Sequence, residues 1–174
     1  MQLTITVLGY TKSRFIDRIL TAANDCQCSI IEMRANRLLA CNAAYLLISG
    51  EWNQIAKLES LLDALEKKLE IKIHRLRPGS ANGNAHYTPY SLETISLEHQ
   101  NALQSITAFI SGQNIIIEEI SCSRYQDCYG HAELVTTRFI LLIPQSIRIL
   151  SLRDEFMEFC DQINVDAILE PIKR

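Results

Sequence analysis

An α+β fold of two tandem βαββαβ units follows from three observations on this 174-residue chain. The order strand, helix, strand, strand, helix, strand can be read twice. All four helical segments are apolar on one side only, and the phrase Ile30-Ile31-Glu32 returns as Ile116-Ile117-Glu118. One-sided helices in that order predict ferredoxin-like units, each an antiparallel four-stranded sheet with both helices on one face. A unit of under ~90 residues is near the lower limit for an independent core, so each is expected to lean on a neighbour.

The first unit opens with Leu3 to Leu8, which alternates as a strand, and continues with helical spacing from Phe15 to Ala23. Ile30 to Leu38 and Tyr45 to Ser49 read as extended. Ile55, Leu58, Leu62, Leu65 and Leu69 then fall on one helical face, with Lys57, Glu59, Glu66 and Lys67 off the stripe. Asn53 is the expected N-cap of that helix, after the turn at Gly50. Ile71 to Leu76 closes the unit. Glycine, proline and asparagine crowd Pro78 to Asn84 and resist both helix and ladder geometry, so the boundaries are set at 1–77 for the first domain, 78–90 for a linker and 91–174 for the second domain.

The second unit repeats the order from Leu92 to Ile172. Its helical stripes are Leu103, Ile106 and Ile110, then Leu152, Phe156, Phe159 and Ile163. Two runs, Tyr45-Leu46-Leu47-Ile48 and Phe139 to Ile143, are continuously apolar, as expected of strands buried on both sides. The sheet face away from the helices therefore needs a cover, from the other repeat or from another chain, and a homo-oligomer is expected.

Composition narrows the function. The chain is 48% hydrophobic and 21% charged, which supports a packed core. Its formal net charge of -3 gives no basis for gripping a phosphate backbone along the surface, so no direct contact with nucleic acid is expected. No stretch approaches the ~20 apolar residues of a membrane span, and Met1-Gln2-Leu3-Thr4 does not begin a leader, so the cytoplasm is the expected location. Cys26, Cys28, Cys41, Cys122, Cys128 and Cys160 are accordingly read as reduced thiols.

Several residues could carry chemistry, each with a plainer reading beside it. Lys12, Ser13 and Arg14 precede a helix and could hold a carboxylate or phosphate, or form a solvated loop. Cys26-x-Cys28 lacks the spacing of a zinc knuckle or a thioredoxin-like site and reads as structural. Cys122, Cys128 and His131 surround a hairpin loop, Arg124 to Gly130, without a clear fourth ligand, so no metal and no cofactor is expected. Lys72, His74, Arg75 and Arg77 give one strand a basic edge that could meet a partner or guard against aggregation. Trp52 is read either as a packed anchor at the start of a helix or as a partner contact. Tyr87, Tyr125 and Tyr129 are weaker loop candidates for such a contact. Arg14 could hold a phosphate in a small hydrolase, yet no paired acid and base or nucleophile elbow accompanies it. The chain is read as non-catalytic.

Two such units, each with a loop and helix after its first strand, resemble paired ACT domains, the small-molecule regulatory modules of amino-acid metabolism. More narrowly, Cys26-Gln27-Cys28-Ser29-Ile30-Ile31-Glu32-Met33-Arg34 and the phrase Ser49-Gly50-Glu51-Trp52-Asn53 are similar to the glycine cleavage system transcriptional repressor family. The resemblance covers the first half closely and the second mainly in element order. It implies a regulator that binds a LysR-type transcription activator and leaves DNA alone, with glycine or another small amino acid relieving the contact. A regulatory subunit that binds an amino acid and controls a metabolic enzyme is the alternative. The implied ligand site uses Gly9, Tyr10, Thr11, Lys12, Ser13 and Arg14 with Ser29 and Ile30 in the first unit. In the second it uses Glu98, His99 and Gln100 with Asn114 and Ile115. The partner contacts expected from the basic edge and the lone tryptophan are Trp52, Lys72, His74 and Arg75. One departure is plain: ligand-binding ACT domains carry an acidic residue and a Pro-Gly pair after strand one, and this chain has Thr11 and Ser13-Arg14 there, with no glycine in Glu98-His99-Gln100-Asn101.

Overall fold

The computed structural model describes residues 1–79, 87–97, 101–126 and 133–172. In chain order the elements are β1 (Gln2–Tyr10), α1 (Phe15–Asp25), β2 (Ser29–Leu38), β3 (Cys41–Ser49), α2 (Trp52–Leu69), β4 (Lys72–Leu76), β5 (Tyr87–Leu97), α3 (Ala102–Gly112), β6 (Ile116–Gln126), β7 (Glu133–Pro144), α4 (Ile149–Gln162) and β8 (Asp166–Pro171). They form two antiparallel four-stranded sheets, ordered β2-β3-β1-β4 and β6-β7-β5-β8. The chain divides into two compact units, Met1–Asn82 and Gly83–Arg174. The fold is the expected one, βαββαβ written twice.

Each core lies between helices and sheet. In the first unit Ile5 pairs with Leu46 and Leu3 with Ile48, and all four are buried with Phe15, Ile19, Ile55, Leu58 and Leu62. In the second, Leu92 pairs with Phe139, and both are buried with Ile106, Ile110 and Phe156. Phe109 of α3 stacks on Phe159 of α4 at 4.9 Å between ring centroids. Leu103, the first residue of the expected α3 stripe, is 39% exposed, and Ala102 packs against the core in its place at the start of the helix.

All four helices end the same way. Gln27, Glu70, Asn114 and Asn164 have positive φ. In each case the next residue's N–H reaches back to a carbonyl five residues earlier: Cys28 to Ala23, Ile71 to Glu66, Ile115 to Ile110 and Val165 to Cys160. This is the Schellman closure, and it drops a buried side chain (Ile71, Ile115 or Val165) onto the core just before the next strand.

Three expectations change. Glu51, not Asn53, is the N-cap of α2: the Gln54 side chain accepts the Glu51 N–H at 2.7 Å, and Asn53, already in the first turn, accepts the Gln54 N–H at 2.9 Å. β5 starts at Tyr87, inside the segment read as linker, because Tyr87 to Tyr90 extend the ladder opposite Pro144 to Leu141. The apolar runs are not buried on both sides. Leu46 and Ile48 face the helices, while Tyr45 is 43% exposed on the other face and Leu47 is half-buried.

Candidate functional site

The loop after β1 is built by a short 3-10 turn, Thr11–Ser13, followed by Arg14 in the left-handed conformation (φ 48, ψ 35) at the start of α1. The Thr11 N–H donates to the Ala40 carbonyl at 2.8 Å, and the Ser13 hydroxyl donates to the Tyr10 carbonyl at 2.7 Å. The Thr11 hydroxyl lies 3.4 Å from Asn42 Oδ1, and Lys12 Nζ sits 5.9 Å from the centroid of the Tyr10 ring. Thr11, Arg14, Phe15, Ile16, Asp17, Leu20 and Asn42 line a shallow depression of about 450 Å³. Arg14 thus adopts the backbone that glycine favours, at the position where the resemblance places a glycine. The Arg14 guanidinium and the first N–H groups of α1 favour an anion there, and the Asp17 carboxylate in the same lining opposes one. The depression therefore pairs one cationic with one anionic group, as a zwitterionic amino acid would require.

The expected ligand residues do not form one cluster. Gly9 is buried on the helix side of the sheet, beneath Phe15 and Ile71, and serves packing there. Tyr10 is 58% exposed on the other face. Ser29 pairs with Ser49 and Ile30 with Ile48, whereas Gly9 pairs with Asn42, so Ser29 and Ile30 stand seven and six β3 positions away, roughly 20–23 Å at the rise of a strand. Within one unit the two halves of the implied site are at opposite ends of the sheet. In the second unit Asn114 is a helix-closing residue and the Ile115 side chain is in the core. Glu98, His99 and Gln100 lie outside the described residues.

The expected partner set is also divided. Trp52 is the first residue of α2 and is 69% exposed, so it is not the packed anchor of one reading. Lys72 and His74 are exposed on the sheet face away from the helices, where they pair with Leu8 and Thr6. Arg75 points to the helix side, with Nη2 2.8 Å from Asp63 Oδ1. Arg77 Nη2 reaches both Glu59 carboxylate oxygens at 2.9 and 3.1 Å, and Glu66 Oε1 accepts the Ile73 N–H at 3.2 Å. Two α2 carboxylates, Asp63 and Glu66, therefore hold the edge strand β4 and a third, Glu59, holds Arg77 just after it, a pairing the sequence reading missed. Its signal was present in Glu59-x-x-x-Asp63-x-x-Glu66 beside alternating arginines.

The thiols have separate surroundings. Cys26, Cys28, Cys41, Cys122 and Cys160 are free. Burial, and then the neighbouring Cys26, raise the pKa of Cys28. Burial, and then Asp161, push Cys160 up to about 11. Neither is an activated thiolate. Among the described residues no group of three or more metal-ligating side chains occurs, and Cys128, Tyr129 and His131 lie outside them. Tyr87 and Tyr125 are in strands rather than loops. Among the described residues no helix is long and apolar enough to cross a membrane.

Comparison with known proteins gives a consistent picture of the fold. Residues 1–75 match the ACT domain. Along its length the chain is similar to a solved structure of a candidate glycine cleavage system transcriptional repressor, at 18% identity and a TM-score of 0.77, covering 99% of this chain and 98% of that one. It is also similar to an unknown protein from Galdieria sulphuraria, at 16% identity and a TM-score of 0.82, with the same coverage. No curated protein matches in sequence.

Proposed function

We propose that this chain, whose residues 1–75 are an ACT domain in a tandem ACT-like fold, is a regulator that acts by contact with another protein and performs no chemistry of its own. The observation that carries this is Trp52. An indole 69% exposed at the head of a helix gains little for the fold, whereas buried against a partner it supplies a large rigid contact. It lies in the Ser49-Gly50-Glu51-Trp52-Asn53 phrase that resembles the glycine cleavage repressor family, which supports a LysR-type activator of the glycine cleavage genes as the partner and the cytoplasm as the place of action.

The test is direct binding of the purified chain to a purified LysR-type activator of glycine cleavage genes, on and off its operator DNA. The expected result is a complex with the activator, no binding to DNA alone, and a loss of roughly tenfold or more in affinity for Trp52→Ala. Absence of a complex at micromolar concentration refutes the reading.

The depression beside Arg14 favours a second reading, in which an amino acid binds there and the chain is the regulatory subunit of a metabolic enzyme. Calorimetric titration with glycine and other small amino acids, repeated on Arg14→Ala, tests the ligand. Recovery of a metabolic enzyme in place of the activator identifies the second partner class.

A further inference from the structure

The charge of this chain is divided between its units. Residues 1–82 carry 11 lysines and arginines against eight aspartates and glutamates, a net of +3, while residues 83–174 carry six against twelve, a net of -6. The overall value of -3 conceals this opposition. The division reaches the sheet faces that the helices leave open. On the first, Leu8, Tyr10, Tyr45 and Leu76 are 43 to 72% exposed, with Lys72 and His74 along the edge strand and the Glu32–Arg34 ion pair, which adds no net charge, opposite Leu47 and Tyr45. On the second, Ile95, Leu97, Ile116 and Ile168 are 42 to 61% exposed, with Asp166 and Glu170 along the edge strand and the Arg138–Glu93 ion pair, which adds no net charge, between β7 and β5. The ladder register makes the contrast sharp: Lys72 pairs with exposed Leu8, and Asp166 pairs with exposed Ile95, at the same rung of the repeat. One position of a duplicated fold thus carries opposite charges beside equivalent exposed aliphatic side chains.

We propose that these two faces dock on each other between two copies of the chain, the basic face of one copy against the acidic face of the second, and reciprocally. Such an arrangement is closed and two-fold, covers both apolar faces at once, and sets unlike charge against unlike charge. Pairing of like faces would set Lys72 against lysine or Asp166 against aspartate, which disfavours it. This surface is distinct from the Trp52 contact, so the proposal stands or falls independently of the partner reading.

Sedimentation equilibrium of the full chain across a concentration series up to about 100 µM tests it. The expected result is a dimer that weakens with added salt, weakens roughly tenfold or more in either Lys72→Glu or Asp166→Lys, and recovers in the double variant. Both positions are exposed, and circular dichroism checks that each variant remains folded. A chain that stays monomeric throughout overturns the proposal, and that outcome includes a chain pairing its own two faces. A dimer indifferent to both charge reversals overturns it as well.

Discussion

A Cβ placed on Gly9 would lie 2.6 Å from Ile71 Cγ2, with Phe15 Cδ1 at 3.0 Å. Ile71 is the side chain delivered by the closure of α2, and Phe15 begins α1, so one missing methyl lets both helices settle against β1. Gly9→Ala is expected to destabilise the first unit by about 1–3 kcal/mol through overpacking, measured as a lower urea midpoint. An unchanged midpoint would show that Ile71 can move aside.

Arg14 holds a left-handed backbone without being glycine. Arg14→Gly removes that steric cost and is expected to raise stability by about 0.5–1 kcal/mol after the added flexibility of the unfolded chain is counted. If the depression holds an anion, the same variant loses ligand affinity while gaining stability, an opposition that calorimetry and urea titration together detect.

Cys160 gives a pH prediction. Its pKa is raised in the fold from 9.0 to about 11, so the folded state keeps a proton that the unfolded state gives up. The contribution is fully present below pH 9 and is lost as pH rises towards 11. Stability is expected to fall across that window, and a thiol-reactive dye is expected to label exposed Cys122 in the native protein while reaching Cys160 only on unfolding. Rapid native labelling of Cys160 would contradict its burial.

Trp52→Ala is expected to alter stability by no more than about 0.5 kcal/mol, because the indole makes little contact with its own chain. A larger loss in thermal denaturation would assign Trp52 to the fold and remove it from the contact surface.

The duplicated architecture was legible because the cores obey simple periods. Ile55, Leu58 and Leu62 mark a helix, and Leu3, Ile5 and Val7 mark a half-buried strand. What failed to show depends on which way a side chain turns and how far apart pairing places it. Lys72, His74 and Arg75 are neighbours in sequence, yet the alternation of a strand sends Arg75 to Asp63 and the other two to the open face. Ser29 and Gly9 could belong to one site on paper, and only the register of β3 sets them at opposite ends of the sheet. Apolar runs such as Tyr45 to Ile48 record how oily a strand is, and leave open whether its outer side is covered.

The second unit's interior differs in one respect that has a measurable outcome. Where the first unit pairs Val7 with Ala44, the second pairs Thr94 with Thr137, both buried, with the Thr94 hydroxyl donating to the Thr137 carbonyl over 3.4 Å. A long hydrogen bond returns only part of what dehydrating two hydroxyl groups costs. Heating is therefore expected to melt the halves in succession, the carboxy-terminal one first, leaving a partially folded species whose surviving half is the one that matches the ACT domain.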